Sequence, residues 1–358
     1  MENSEKDEKN KQTTDGVDTV EKIIEDTVAD GLHAMVLALG YRVGIVDALY
    51  RLETPCTDRE ISDEAGLNLR YVQEWLICMT TKGIIRYDNE KYSLPCSEQV
   101  QRAVLISAVL PMFADCLLKL EPAMRDKEHN TGYPFPQKDL EWLGKFNEVN
   151  TFNSHWVESN LGTVFKSHFK DSQEQIKDIL DFGCGYGKLS QQLAETYQYF
   201  NITGVDIDEQ SIRHCQKTYK CPNLHFTSSK DISSTLNIRF DVIILMEVLH
   251  DLPDPGQVLS ELRTVLKPDG CIVTFDPNIS SDISTNIGSK AAKIHLPFSV
   301  FFCLPNSMSK SPAVGHGAGW GVEDRRNFIT EHGFTILNID NNSVDPQYSR
   351  LVFKNSMK

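Results

Sequence analysis

Three glycines at alternate positions follow a short apolar run. The run is Ile179-Leu180-Asp181-Phe182 and the glycines fall in Gly183-Cys184-Gly185-Tyr186-Gly187. Glycine is needed where the backbone turns sharply and a ligand must approach with no Cβ in the way, and a helix that follows aims its free amides at that ligand. A dinucleotide fingerprint would put its third small residue at Lys188, whereas the third glycine here comes one position earlier, at Gly187. The loop therefore fits a pyrophosphate less well than a nucleoside joined to an amino acid. Asp206 ends the next apolar run, where a carboxylate can accept hydrogen bonds from both hydroxyls of a ribose. After the third run, Asp231 is placed to meet an adenine amino group and Ile232 to lie against the ring. The fourth run leaves through Met246-Glu247-Val248-Leu249-His250-Asp251, and the fifth ends at Asp276-Pro277. His250 titrates near neutrality and is a candidate general base. So is His316, in the run Gly315-His316-Gly317-Ala318-Gly319. No group of His, Cys and acidic residues has metal-ligand spacing, and no G-x-S-x-G elbow is present.

The elements that must position these residues alternate strand and helix, the pattern of a parallel sheet with crossover helices. Strands are expected at Ile179–Phe182, Ile202–Asp206, Leu224–Thr227, Phe240–Met246 and Gly270–Asp276. Two more, Phe334–Ile339 and Arg350–Lys354, are joined by a short polar loop and read as an edge hairpin. Ligands of such sheets bind beyond the carboxyl ends of the strands, where all the residues named above fall. The stretch from Ile294 to Met308 is apolar for a connection and suits the wall of an acceptor pocket, or a helix that completes the core.

Upstream, Val20, Ile23, Ile24, Val28, Leu32 and Met35 recur at helical spacing. Thr57-Asp58-Arg59-Glu60 is a capping box opening a short helix that Gly66 stops. Asn68 caps a helix with Tyr71, Val72, Trp75, Leu76 and Met79 on one face. Ile84–Tyr87 and Lys91–Leu94 are short strands around Asp88-Asn89. Helices followed by a small hairpin describe a winged helix. A largely apolar helix, Val100–Leu120, and another from Asp139 to Val164 form a connector. The expected division is a disordered tail at 1–19, a winged helix at 20–95, a helical connector at 96–172 and a ligand-binding domain at 173–358.

With these motifs in order, the sequence resembles the class I S-adenosylmethionine-dependent methyltransferases, over about Gln175 to Lys354. The Asp181–Gly187 loop, Asp206, Asp231, the Phe240–His250 segment and Leu266-Lys267-Pro268-Asp269-Gly270 carry the likeness. The N-terminal half, through Gly44-Ile45-Val46-Asp47-Ala48-Leu49 and Tyr71-Val72-Gln73-Glu74-Trp75-Leu76, resembles the winged-helix domain of small-molecule methyltransferases from bacteria and nematodes, which share their plan with plant O-methyltransferases. The resemblance implies an α/β fold with a Rossmann-like sheet of seven strands, the last antiparallel. It implies S-adenosyl-L-methionine as cofactor, held by Asp181, Gly183, Gly185, Gly187, Asp206, Ile207, Asp231, Ile232, Met246 and Glu247. It further implies methyl transfer to oxygen or nitrogen of a small molecule, and a homodimer through the N-terminal domain. No imidazole follows the fifth strand at Asp276-Pro277-Asn278.

Charge narrows the partners. The 358-residue chain carries 36 basic and 50 acidic residues, a net charge of −14. That disfavours a broad nucleic-acid footprint or docking to an anionic membrane. Residues 42–92 hold seven basic and nine acidic side chains, and the second helix of the winged helix bears Glu74 and Trp75 where DNA recognition needs cations. The nine cysteines form no C-x-x-C pair and read as reduced thiols of a cytoplasmic protein. Two other readings stay open: a non-catalytic S-adenosylmethionine-binding regulator, and a winged-helix transcription regulator.

Overall fold

The computed structural model describes residues 2–129, 131–133, 135, 152–169, 177–229, 232, 238–341 and 345–356, with side chains from residue 19 onward except at 98. Asp231 and most of the connector helix expected at Asp139–Val164 lie outside the described residues. The chain divides into two compact units, 1–114 and 115–358.

In the first unit, α1 (Glu2–Arg42) includes the polar stretch for which no fixed structure was expected. The helices α2 (Ile45–Leu52), α3 (Asp58–Ala65) and α4 (Leu69–Thr81) follow. The capping box forms: Glu60 N–H donates to Thr57 Oγ1 at 3.3 Å, and Thr57 N–H donates to Glu60 Oε2 at 2.8 Å. Gly66 stops α3 in the left-handed region. Strands β1 (Arg86–Asp88) and β2 (Lys91–Ser93) pair antiparallel, and the turn between them has positive φ at both Asn89 and Glu90, the twist a two-residue hairpin favours.

Ile45, Val46, Ile61, Val72, Leu76 and Met79 are buried around Trp75, whose indole N–H donates to Val36 O at 2.7 Å. A Cβ on Gly40 would come within 2.4 Å of that indole, so glycine is what lets α1 lie against it. Tyr71, expected on the buried face of α4, is 79% exposed. The expected Val100–Leu120 helix is broken into α5 (Glu98–Ser107) and α6 (Leu110–Arg125). Pro111 has no N–H to continue the first helix and biases Leu110 away from helical backbone, so it serves only at the start of the second. By length and composition the stretch Gln99–Arg125 is apolar enough to cross a membrane.

The second unit contains α7 (Ser154–Asn160) and α8 (Gly162–Phe169), then a seven-stranded sheet. Its strands are β3 (Lys177–Phe182), β4 (Phe200–Asp206), β5 (Leu224–Ser228), β6 (Phe240–Met246), β7 (Leu266–Pro277), β8 (Phe334–Asp340) and β9 (Tyr348–Asn355). The spatial order is β5-β4-β3-β6-β7-β9-β8, parallel through β7 and antiparallel from β9. All seven strands fall where the periodicity put them. The order reverses between β3 and β6, and the crevice at such a switch point is where ligands of open α/β sheets bind. One apolar cluster holds Ile179, Ile202, Val242, Ile244, Met246 and Phe275 with Trp156 and Phe165. A second holds Leu180, Val205, Ile243, Leu245 and Phe353 with Leu262 and Ile329. Each fully buried Leu, Ile or Phe stabilises by about 1.5–3 kcal/mol relative to exposure, so the strand ends carrying the polar residues rest on a stiff base.

Candidate functional site: the carboxyl end of the sheet

The glycine bend and the carboxylate of β4 meet. Gly183 N–H and Cys184 N–H donate to Val205 O, and Gly185 N–H donates to Asp206 Oδ2 at 2.8 Å. Asp206 Oδ1 accepts from Asp208 N–H at 2.9 Å. Burial raises the Asp206 carboxyl above its usual range, against the opposing hydrogen bonds from these amides. A carboxylate offers about four acceptor positions, so two amides leave room for ribose hydroxyls.

The three glycines have different tasks, although all sit at positive φ. A Cβ on Gly183 would come 2.5 Å from Val248, and one on Gly187 would come 2.7 Å from Cys215 and 2.8 Å from Phe226. Protein packing demands those two. A Cβ on Gly185 would meet nothing within 4 Å, so the open side of the loop is at Gly185, beside Asp206 and the 53% exposed Ile207. That cradle, lined by backbone and a carboxylate, fits an adenosyl group.

Asp181 is 1% exposed, and its Oδ2 accepts from Ser190 Oγ at 2.5 Å. Ser190 lies on α9 (Lys188–Thr196), the helix that begins at Gly187, so Asp181 braces the start of that helix. Burial pushes its carboxyl up to about 7. Ile232 is buried within the second apolar cluster and Met246 within the first.

Of the two candidate histidines, His250 is buried and His316 half-buried. His250 is 1% exposed. Its Nδ1 lies 2.8 Å from Asp276 Oδ1 and its Nε2 lies 3.2 Å from Asp251 Oδ1. Burial alone would lower its pKa, but the charge of Asp251 and the hydrogen bond to Asp276 hold it well above the usual value. The Asp276 carboxylate thus orients the ring through Nδ1, while Asp251 Oδ1 lies near Nε2 without a hydrogen bond among the described residues. Asp276 is also paired with Arg325, whose Nη1 is 3.4 Å from Asp276 Oδ2, while Nη2 donates to Pro277 O and Ser349 Oγ. Despite burial, these partners hold the Asp276 carboxyl below its usual range. Cys303 Sγ, His250 and Asp251 stand close enough for a metal ion by distance alone. The His316 ring stacks on Trp320 at 3.7 Å between centroids, and Gly317 N–H donates to His250 O. Burial lowers its pKa, leaving it neutral, with Nε2 unpartnered among the described residues.

Sequence reasoning passed over Glu247's backbone. Its φ is 59°, its N–H donates to Phe275 O at 2.8 Å, and its Oε1 is buried with no hydrogen-bond partner among the described residues. A non-glycine residue held at positive φ at the end of a strand is a functional signal. It was invisible beforehand because nothing in the residue types around it demands that conformation. The apolar segment after β7 forms α13 (Lys290–Phe298, counting α10 at Glu209–Thr218, α11 at Pro255–Val265 and α12 at Ile283–Asn286), a π-turn at Ser299–Cys303 and α14 (Leu304–Ser307). Ile294 and Val300 are 40% and 45% exposed, so this segment is not simply a core helix. It packs on Gly132, Tyr133 and Phe135: Gly132 N–H donates to Met308 O, Tyr133 Oη to Phe301 O, and the Phe135 and Phe302 rings lie 4.4 Å apart. A separate cleft lined by Lys177, Asp241 and Lys267 opens at the amino ends of the strands. Its Lys267 is neutralised by Asp178 and Asp241 at 2.9 and 2.7 Å, and it lies at the far end of the sheet from this chemistry.

Fold and site together define the class I methyltransferase architecture. Residues 173–316 match the family model described as a methyltransferase domain, and residues 31–104 match the Rv2258c-like winged HTH domain; the chain carries both domains. Among curated proteins it is similar to a ubiquinone biosynthesis O-methyltransferase of Hydrogenovibrio crunogenus, 32% identical over 36% of this chain and 57% of that protein. The chain spans 57–65% of the length of the first curated relatives it matches. Among solved structures it superposes on human N-acetylserotonin methyltransferase in complex with SAM at a TM-score of 0.70, with 14% identity over 94% of this chain and 98% of that one. A structure titled a pericyclic reaction enzyme matches at 0.66, with 15% identity over 94% of this chain and 89% of that one. These likenesses establish the fold.

Proposed function

We propose that this protein is an S-adenosylmethionine-dependent methyltransferase acting on oxygen of a small-molecule acceptor. The observation that carries the reading is the Gly185–Asp206 hydrogen bond beside the open side of the glycine bend. S-Adenosylmethionine, when bound, supplies a methyl group activated by a positively charged sulfur. Gly183, Gly185 and Gly187 shape the backbone that receives it, and Asp206 accepts from the ribose hydroxyls. Ile207, Asp231 and Ile232 form the adenine end. Asp181 braces the loop through Ser190, and Met246 and Glu247 close the cradle from β6. The protein's own contribution is alignment and exclusion of water, for which the half-exposed apolar segment 294–308 is the acceptor-side wall. His250 positions Asp251 and Asp276 in this reading, and His316 faces the acceptor side.

The domain division is a tail at 1–19, a winged helix at 20–95, a connector at 96–172 and the methyltransferase domain at 173–358. The partner is a second copy of the chain and not nucleic acid or membrane. Val20, Ile24, Val28, Leu32, Met35 and Leu39 form one stripe along α1 and are 39–65% exposed, which suits a homodimer. The nine free cysteines suit the reducing cytoplasm.

The test is incubation of the full chain with methyl-labelled S-adenosylmethionine and a panel of aromatic hydroxyl compounds and amines. Label transferred to hydroxyl oxygen supports the reading. Cofactor binding with no transfer to any acceptor sinks it in favour of a regulator, and transfer confined to amines sinks the oxygen assignment.

A further inference from the structure

Cys303 reaches the His250–Asp251 pair from the segment that follows β7. It ends the π-turn at Ser299–Cys303, and its Sγ, a ring nitrogen of His250 and a carboxylate oxygen of Asp251 all lie within 4.8 Å of one another. His250 is 1% and Cys303 7% exposed. His250 Nε2 and Asp251 Oδ1 stand 3.2 Å apart, and that oxygen is buried with no hydrogen-bond partner among the described residues. Zinc bonds to nitrogen and oxygen at about 2.0–2.1 Å, so a tetrahedral shell separates two such ligands by roughly 3.3 Å. The spacing of the pair is that of two corners of one coordination shell. The ring is also set as a ligand is set. Its Nδ1 lies 2.8 Å from Asp276 Oδ1, and Arg325 pairs with the other oxygen of Asp276. A carboxylate on the far nitrogen fixes the tautomer and turns the Nε2 lone pair toward Asp251 and Cys303. The Asn306 side chain, on α14, hydrogen-bonds to the Asp251 carboxyl. Glu247, Asp251 and Asp276 place three carboxylates in this neighbourhood against the one guanidinium of Arg325. That excess of negative charge holds a proton on His250, and a divalent cation competes for the same place.

We propose that His250, Asp251 and Cys303 form a binding site for a divalent transition cation of the zinc class. The donor set selects the ion. Thiolate and imidazole suit zinc, whereas magnesium and calcium take oxygen ligands. As the metal–sulfur bond forms, the S–H bond of Cys303 breaks, its electron pair stays on sulfur and the proton passes to solvent. His250 gives up the proton on Nε2 in the same way, and no oxidation state changes. Three protein ligands leave a fourth position for water. The ion ties the end of β6 to the segment 294–308 through Cys303, and so fixes that segment against the sheet. Residue spacing did not reveal the site because Cys303 arrives from beyond β7. The site goes beyond the methyltransferase reading and does not depend on it, since none of its three ligands belongs to the adenosyl cradle.

Three measurements decide it, on the full chain stripped of metal by a chelator and kept reduced. First, zinc chloride titrated in competition with a chromophoric chelator should fill one site per chain at micromolar or tighter affinity. Second, zinc at about a hundredfold over that dissociation constant should raise the melting temperature by about 4 °C or more, while magnesium at the same concentration leaves it unchanged. Cys303→Ser and Asp251→Asn should lose the zinc shift. Their metal-free melting transitions show that they are folded, whatever the temperature at which they fall. Third, cobalt(II) should give the visible absorption of a four-coordinate ion and a near-ultraviolet thiolate-to-metal band. That band should vanish in Cys303→Ser and persist in Cys215→Ser, whose thiol lies beside the glycine bend. No zinc shift in wild type, equal shifts with zinc and magnesium, or a thiolate band that survives Cys303→Ser each overturn the proposal. A band lost in Cys215→Ser instead moves the metal to the glycine bend and overturns it as well. Titration with S-adenosylmethionine reads the other claim separately: a chain that binds zinc at this site and no S-adenosylmethionine removes the methyltransferase reading and keeps the metal site.

Discussion

Single side chains in this site are understood by asking what a substitution would meet. Gly187→Ala puts a Cβ against Cys215 and Phe226 at positive φ, so it should destabilise the fold by at least about 2 kcal/mol, measured by chemical denaturation. Gly185→Ala meets open space. It should cost only the left-handed backbone penalty of about 1–2 kcal/mol, yet weaken S-adenosylmethionine binding at least tenfold by titration calorimetry. Equal behaviour of the two variants would contradict the division of labour. Arg325→Met leaves the Asp276 carboxylate buried with His250 as its remaining partner, and should cost about 3–5 kcal/mol in the same denaturation assay. The glycine bend and Asp206 were legible in the sequence because their chemistry is local to the ends of two strands. The burial of His250 was not, because the partners that fix its charge, Asp276 and Arg325, arrive from a distant strand and helix.

Elements were legible where a strong local signal set them and obscure where tertiary context did. The capping box, the Gly66 stop and the seven strands appear as the residue pattern implied. The Val100–Leu120 helix breaks because apolar periodicity outweighed Pro111 in the reading, whereas sterics outweigh periodicity in the chain. On α4, Tyr71 shares the helical period of Val72 and Trp75 but faces solvent. Its neighbours Arg70 and Glu74 form an ion pair on the same exposed side. Within the first unit, α1 lies against α4 through Gly40 and Trp75. Gly40→Ala should lower the melting temperature of the full chain by several degrees, checked by calorimetry. A melting temperature unchanged by that added methyl group would contradict the close approach.

At the scale of the molecule, the methyltransferase and winged-helix domains follow from motif order, while chemistry and assembly follow from specific surfaces. The structural likeness to a pericyclic reaction enzyme is the reason the proposed activity rests on the glycine bend and on Asp206 and not on topology. The exposed stripe of α1 should be covered by a second copy. Val28→Glu with Leu32→Glu should convert a dimer to a monomer in light scattering coupled to gel filtration, with the melting transition retained. A wild-type chain that runs as a monomer at micromolar concentration would remove that assembly.

The central claim is that the loop after β3 and the Asp206 carboxylate together grip an adenosyl group. Calorimetric titration of S-adenosylhomocysteine into wild type and Asp206→Ala tests it most directly. The account predicts micromolar or tighter binding by wild type and a loss of about 30-fold or more in the variant, the scale of charge-assisted hydrogen bonds to two hydroxyls. Equal affinity of the two proteins, or no binding by a folded wild type, would contradict it.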